Sequence, residues 1–67
     1  MTNKEKALNA FMEAIGESRE LLTEIQAHLD DHMGTNPEDI NWGHVGSALK
    51  VQSDLKEIAN FLFGREE

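Results

Sequence analysis

The amino-acid sequence predicts an all-α fold, in which a single domain, residues 1–67, forms an antiparallel helical hairpin. We expect a long helix at about 3–33, a short turn at 37–40 and a second helix at about 42–63. Two stretches repeat apolar residues at alternating spacings of three and four, and glycine and proline separate them. A short connection between two amphipathic helices favours an antiparallel pair.

The first helix is predicted from a heptad pattern. Thr2 and Glu5 have the spacing of a capping box, which places the beginning of the helix near residue 3. Gly34 lies where a residue with left-handed backbone would end it. One core position of the pattern holds Leu8, Ile15, Leu22 and Leu29, and the other holds Phe11, Ser18, Ile25 and His32.

The second helix is predicted from its caps and a shorter heptad pattern. Asn36 and Pro37 are typical of the beginning of one helical turn, and Asn41 is a fresh N-cap. Gly64 is expected to end the helix. The apolar positions of this helix are Ala48, Val51, Leu55, Ile58 and Leu62.

Self-association is predicted from the apolar residues that one hairpin leaves uncovered. A chain of 67 residues without cysteine builds a small core that no disulfide stabilises. The second helix is also too short to cover the whole first helix. We therefore expect a homo-oligomer, most simply a dimer of hairpins that forms a four-helix bundle, although single exposed apolar residues are common in monomers. The predicted oligomer interface comprises Leu8, Phe11, Met12, Ile15, Leu21, Phe61 and Phe63.

The net charge of −7 argues against direct binding of nucleic acid or of an anionic membrane. A basic surface of another protein is the better electrostatic match. One helix face concentrates carboxylates, and we expect it either to be an ordinary solvated face or to imitate a nucleic-acid backbone in a basic groove. The candidate partner-binding residues are Glu13, Glu17, Glu20, Glu24, Asp31 and Trp42.

The beginning of the second helix is rich in glycine. Trp42 there is expected either to pack on the turn or to protrude as an anchor for a partner. The glycines favour close packing on the first helix, and the alternative function is an oligomer that binds a small anion or nucleotide on free backbone amides. The residues of that alternative are Gly43, His44, Gly46, Ser47 and Lys50.

Metal binding and catalysis have little support in the sequence. His28 and His32 are four residues apart, and His44 could join them, but such spacing is common on helices and favours an ordinary structural role. We predict no metal and no cofactor. The chain has no cysteine, and no serine lies in a nucleophile elbow, so we expect no enzymatic activity.

The stretch HLDDHMGTNPEDINWGHVGSAL, residues 28–49, resembles a pattern in small acidic helical proteins of phages, prophages and other mobile elements. Its most specific residues are Trp42, Val45, Gly46 and Ser47. The resemblance implies a genomic setting in which such proteins bind and block host proteins, including components of defence systems. We therefore expect a regulator or inhibitor in the cytoplasm, which would be the host cytosol for a phage-encoded chain.

Overall fold

A computed structural model describes residues 2–65. These residues contain two α-helices, α1 at Asn3–Asp30 and α2 at Trp42–Phe63, and no strand. They fall into two compact units, one that ends at Thr35 and one that begins at Asn36. The all-α prediction is confirmed for this part of the chain. The single hairpin domain and the four-helix bundle stay predictions.

The N-terminus of α1 is capped as the sequence predicts. The Oγ1 of Thr2 accepts a hydrogen bond from the backbone N–H of Glu5 at 3.1 Å, which satisfies one of the amides that has no partner within the helix. Glu5 also places a negative charge in the first turn, where the helix dipole favours it.

The C-terminus of α1 lies at Asp30, three residues before the predicted end at about residue 33. His32 and Met33 both have φ of 56°, and Gly34 has φ of 74°. Three successive left-handed residues cannot continue a right-handed helix, which is the reason for the earlier end. The turn is closed by the N–H of Gly34, which donates to the carbonyl of Asp31 at 3.0 Å.

This turn removes His32 from the heptad pattern of the first helix. The sequence placed His32 at a core position, but the residue lies beyond the end of α1. Its backbone conformation is rare for residues other than glycine, although histidine adopts it more often than most. The apolar pattern on α1 therefore ends at Leu29.

The second unit begins with a single 3₁₀ turn at Pro37–Asp39, which lies within the predicted turn at 37–40. The side chain of Asn36 caps it by accepting from the N–H of Glu38 at 3.2 Å. Helix α2 then has the predicted bounds, and it ends at Gly64, whose φ of 64° makes it a left-handed C-cap. The N–H of Gly64 donates to the carbonyl of Asn60 at 2.9 Å.

Within each unit the apolar residues of the helix are largely uncovered. Among residues 2–65 no side chain is buried, and the large apolar residues of α1 are all exposed. On α2 the core positions Val51 and Leu55 are half-buried, whereas Ile58 and Leu62 are exposed. Neither helix in this part of the chain contains a segment long and apolar enough to cross a membrane.

Candidate protein-contact site

Four carboxylates form a narrow acidic ridge along α1. At 3.6 residues per turn, their spacings of four, three and four place them within a sector of about 60° and over a length of about 16 Å. All four residues are exposed. We define the acidic ridge as Glu13, Glu17, Glu20 and Glu24.

No member of the acidic ridge forms an ion pair within residues 2–65. One ion pair of this part of the chain lies on α2, where Lys50 Nζ is 3.1 Å from Asp54 Oδ1. Arg19 is close in sequence to the ridge and forms no ion pair with it. The ridge carboxylates are therefore not neutralised by an ion pair within residues 2–65, which leaves them available to a basic partner.

Asp31 lies at the end of the same helix face, as the sequence predicted. It is the C-cap of α1, and its backbone N–H donates to the carbonyls of Ala27 and His28, both at 3.2 Å. Its side chain is exposed. Because the cap uses the backbone, the Asp31 carboxylate is free to extend the negative surface beyond Glu24.

An apolar stripe occupies the opposite face of α1. Phe11 has 62% of its surface exposed, and Leu8 has 58%. The polar member, Ser18, donates its hydroxyl to the carbonyl of Ala14 at 2.7 Å, so its hydrogen bond is made within the helix. We define the α1 stripe as Leu8, Phe11, Ile15, Ser18, Leu22, Ile25 and Leu29.

Met12 and Leu21 lie on opposite flanks of the α1 stripe. Each is rotated by about 90° from the centre of the stripe, one to each side. Both are exposed. They widen the apolar surface beyond the two core positions of the heptad pattern. A wider apolar surface is typical of a helix that packs against more than one neighbour.

Three aromatic side chains of α2 are exposed to solvent. Trp42 is 86% exposed and Phe61 is 87% exposed. Trp42 is therefore largely uncovered within its own unit, and both its packing on the turn and its role as a protruding anchor stay predictions. Phe63 has a neighbour, because the guanidinium carbon of Arg65 lies 4.9 Å from the centroid of its ring.

Three backbone amides at the beginning of α2, those of Gly43, His44 and Val45, have acceptors within the chain. The Oδ1 of Asn41 accepts from the N–H of Gly43 at 2.9 Å and from that of His44 at 3.3 Å. The N–H of Val45 donates to the carbonyl of Asn41 at 3.1 Å. A small anion could bind the amides of Gly43 and His44 only by displacing the side chain of Asn41, and the anion-binding alternative stays a prediction.

Two of the other residues of the anion-binding alternative form side-chain hydrogen bonds within α2. Ser47 donates its hydroxyl to the carbonyl of Gly43 at 3.3 Å, and Lys50 pairs with Asp54. A Cβ atom at Gly46 would meet no atom within 4 Å. The predicted close packing at this glycine stays a prediction.

The three histidines have separate surroundings. His44 accepts the N–H of Asn41 on Nδ1 at 3.0 Å, and it is half-buried. His28 lies on α1 beside the turn, where its Cε1 would be 3.6 Å from a Cβ at Gly34. His32 lies in the left-handed turn. No group of three His, Asp or Glu side chains among residues 2–65 is placed to hold a metal ion.

Sequence reasoning missed the capping role of His44. Asn41 and His44 have the spacing of a capping box, but the fourth position usually holds Glu or Gln. In this chain the imidazole Nδ1 supplies the acceptor instead. The spacing was the signal that could have identified it.

No family model matches the chain, and neither the comparison with curated proteins nor that with solved structures gave a significant match.

Proposed function

We propose that this chain is a non-enzymatic acidic protein that acts by contact with a basic surface of another protein. The observation that supports the proposal is the acidic ridge, whose four exposed carboxylates lie within one narrow sector and form no ion pair within residues 2–65. Like charges so arranged speed the encounter with a surface of opposite sign and oppose contact with nucleic acid.

The anchor of this contact is Trp42. Charged residues at the edge of an interface mainly affect the association rate, whereas aromatic residues that become buried contribute much of the affinity. Trp42 has 86% of its surface available for that purpose. The ridge would steer the partner and Trp42 would hold it.

The helices would act as a self-associating hairpin. In this proposal α1 and α2 pack in antiparallel fashion, and two hairpins form a four-helix bundle that covers the exposed apolar residues. The support is physical: most of the stability of helices in proteins comes from packing of their amphipathic faces, and exposed apolar patches favour association.

The biological role fits a regulator or inhibitor of a host protein, encoded by a phage or another mobile element and acting in the cytoplasm. The support is the resemblance of residues 28–49 to small acidic helical proteins of such elements. Imitation of a nucleic-acid backbone by the acidic ridge is one means of inhibition, because a basic groove binds closely spaced negative charges.

The test compares two variants of equal net charge. The ridge variant carries Gln at all four ridge positions. The control variant carries Glu5→Gln, Glu38→Gln, Asp39→Asn and Glu57→Gln, so both variants change the net charge from −7 to −3. Each immobilised protein is used to capture proteins from a host lysate, and the retained proteins are identified.

We expect the natural chain and the control variant to retain the same basic protein and the ridge variant to lose it. Retention by all three proteins would contradict a role for the ridge. Loss by both variants would show that net charge matters and the ridge does not. Binding by the ridge should also weaken as salt increases, because exposed charges are screened.

A further inference from the structure

We propose that the α1 stripe binds the α1 stripe of a second copy in antiparallel orientation, about a two-fold axis between Gly16 and Glu17. The inference rests on the proposed self-association and specifies its surface, orientation and register. A second copy is the occupant that the charge distribution and the spacing of the stripe fit, and in the proposed four-helix bundle α2 would pack on a flank of the stripe.

The spacing of the stripe limits the possible registers to a few. Two antiparallel helices mesh when each gap of three residues faces a gap of three and each gap of four faces a gap of four. The proposed register meets this condition and pairs Leu8 with Ile25 of the second copy, Phe11 with Leu22 and Ile15 with Ser18. In each pair the residue numbers add up to 33, which places the symmetry axis at 16.5.

The length of α1 agrees with the same register. The helix extends over Asn3–Asp30, so its first residue lies opposite the last residue of the second copy and the two helices overlap completely. The next register that meshes would place Leu8 opposite His32. Since His32 lies beyond the end of α1, that register has the same number of apolar pairs as the proposed one, in which Leu29 lies opposite Lys4. It leaves residues 3–9 of each copy beyond the end of the other helix, so the overlap is shorter.

The charges of α1 favour the antiparallel orientation. Residues 3–12 contain two lysines and one glutamate, which leaves one net positive charge. Residues 13–30 contain five carboxylates and one arginine, which leaves four net negative charges. Antiparallel pairing brings Lys4 and Lys6 beside the Asp30 end of the second copy, whereas parallel pairing would align the two acidic segments.

The centre of the stripe can be covered at little cost. Ser18 is the polar residue at this point, and its hydroxyl already donates to the carbonyl of Ala14 at 2.7 Å. A polar group that keeps its hydrogen bond does not oppose burial strongly. The same register places Leu21 beside the small Ala14 of the second copy, which covers a flank of the stripe.

The acidic ridge stays accessible in this arrangement. It lies on the face of α1 opposite the stripe, so the two copies would present two ridges that point away from each other. The contact between copies and the contact with a basic partner therefore use different faces of one helix. Each can be tested while the other is intact.

The first test measures distances between spin labels on single-cysteine variants of the full chain, which has no natural cysteine. Labels at Lys6→Cys and Glu17→Cys both point away from the stripe. At 1.5 Å per residue, the proposed register separates two Lys6 labels by about 31 Å along the axis and two Glu17 labels by about 2 Å. We expect a clearly longer distance for Lys6.

Equal distances at the two positions would mean parallel α1 helices and would overturn the inference. If the mass of the particle were still twice that of the chain, the proposed self-association would survive. If the measured mass were that of a single chain and no distance between labels could be measured, both the proposed register and the proposed self-association would be wrong. Neither result affects the capture experiment, which tests the contact with a basic partner.

The second test reverses the charge of the two lysines near the N-terminus of α1. Lys4→Glu with Lys6→Glu should raise the Kd of self-association several-fold at low salt, because acidic residues would then face the acidic end of the second copy. The control, Lys50→Glu with Lys56→Glu, makes the same change of net charge on α2. An equal effect of the two variants, or no effect of the first, would contradict the antiparallel pairing.

Discussion

Asn41 and His44 cap each other at the beginning of α2. The Oδ1 of Asn41 accepts the N–H of His44 at 3.3 Å, and the Nδ1 of His44 accepts the N–H of Asn41 at 3.0 Å. Two backbone amides are thereby satisfied where the helix offers them no partner. This reciprocal pair fixes the point at which α2 begins and the position from which Trp42 protrudes.

Replacement of His44 by alanine should lower the free energy of unfolding by about 1 kcal/mol, because the Asn41 amide loses its acceptor. Replacement by glutamine should cost much less, since glutamine supplies an acceptor at the same position. Urea unfolding followed by circular dichroism, at one protein concentration, measures both. Equal losses for the two variants would show that the imidazole contributes in another way.

Gly43 and Gly46 should respond differently to alanine. A Cβ at Gly43 would lie 3.0 Å from the Oδ1 of Asn41, so Gly43→Ala should disturb the cap. A Cβ at Gly46 meets no atom within 4 Å, so Gly46→Ala should stabilise α2 by about 0.5–1 kcal/mol through its higher helix propensity. A loss of stability in Gly46→Ala would instead indicate close packing at that position.

Gly34 should not tolerate alanine. Its φ of 74° costs about 1–2 kcal/mol for a residue with a Cβ, so Gly34→Ala should lower the stability by about that amount. Gly16→Ala is the matched control, because Gly16 lies inside α1 and a Cβ there meets no atom within 4 Å. Thermal unfolding should show opposite shifts for the two variants. Shifts of the same sign would contradict the left-handed turn.

Phe11 should be required for self-association. Phe11 belongs to the α1 stripe and is 62% exposed. Apolar side chains that anchor an interface often contribute about 2 kcal/mol or more to the binding free energy. Phe11→Ser should therefore raise the Kd of the dimer about 30-fold or more, measured by sedimentation. The ridge variant, with its four substitutions on the opposite face, should dimerise normally. Unchanged association of Phe11→Ser would exclude the α1 stripe as the interface.

Much of the fold could be predicted from local sequence. Thr2, Asn36, Asn41 and Gly64 act at short range, since each satisfies backbone groups within four residues, and the structure has all four where the sequence placed them. The end of α1 was less predictable. Gly34 was recognised as left-handed, but no pattern shows that His32 and Met33 would adopt the same backbone conformation.

The candidate site, like the fold, could be predicted only in part from the sequence. The sector occupied by the acidic ridge follows from helical spacing alone, and so does the stripe opposite it. The exposure of Trp42 and the occupied amides of Gly43 and His44 depend on rotamers and cap geometry, which spacing does not determine. The first leaves Trp42 available as an anchor, and the second means that an anion would have to displace Asn41 from the amides of Gly43 and His44.

The mass of the full chain in solution tests the proposed self-association most directly, because the contact between copies depends on the exposed apolar residues of the α1 stripe. Light scattering at micromolar concentration should give about twice the chain mass of 7.5 kDa. Phe11→Ser should reduce this value toward that of a single chain. A natural chain that remains at 7.5 kDa across the micromolar range would contradict the proposed self-association.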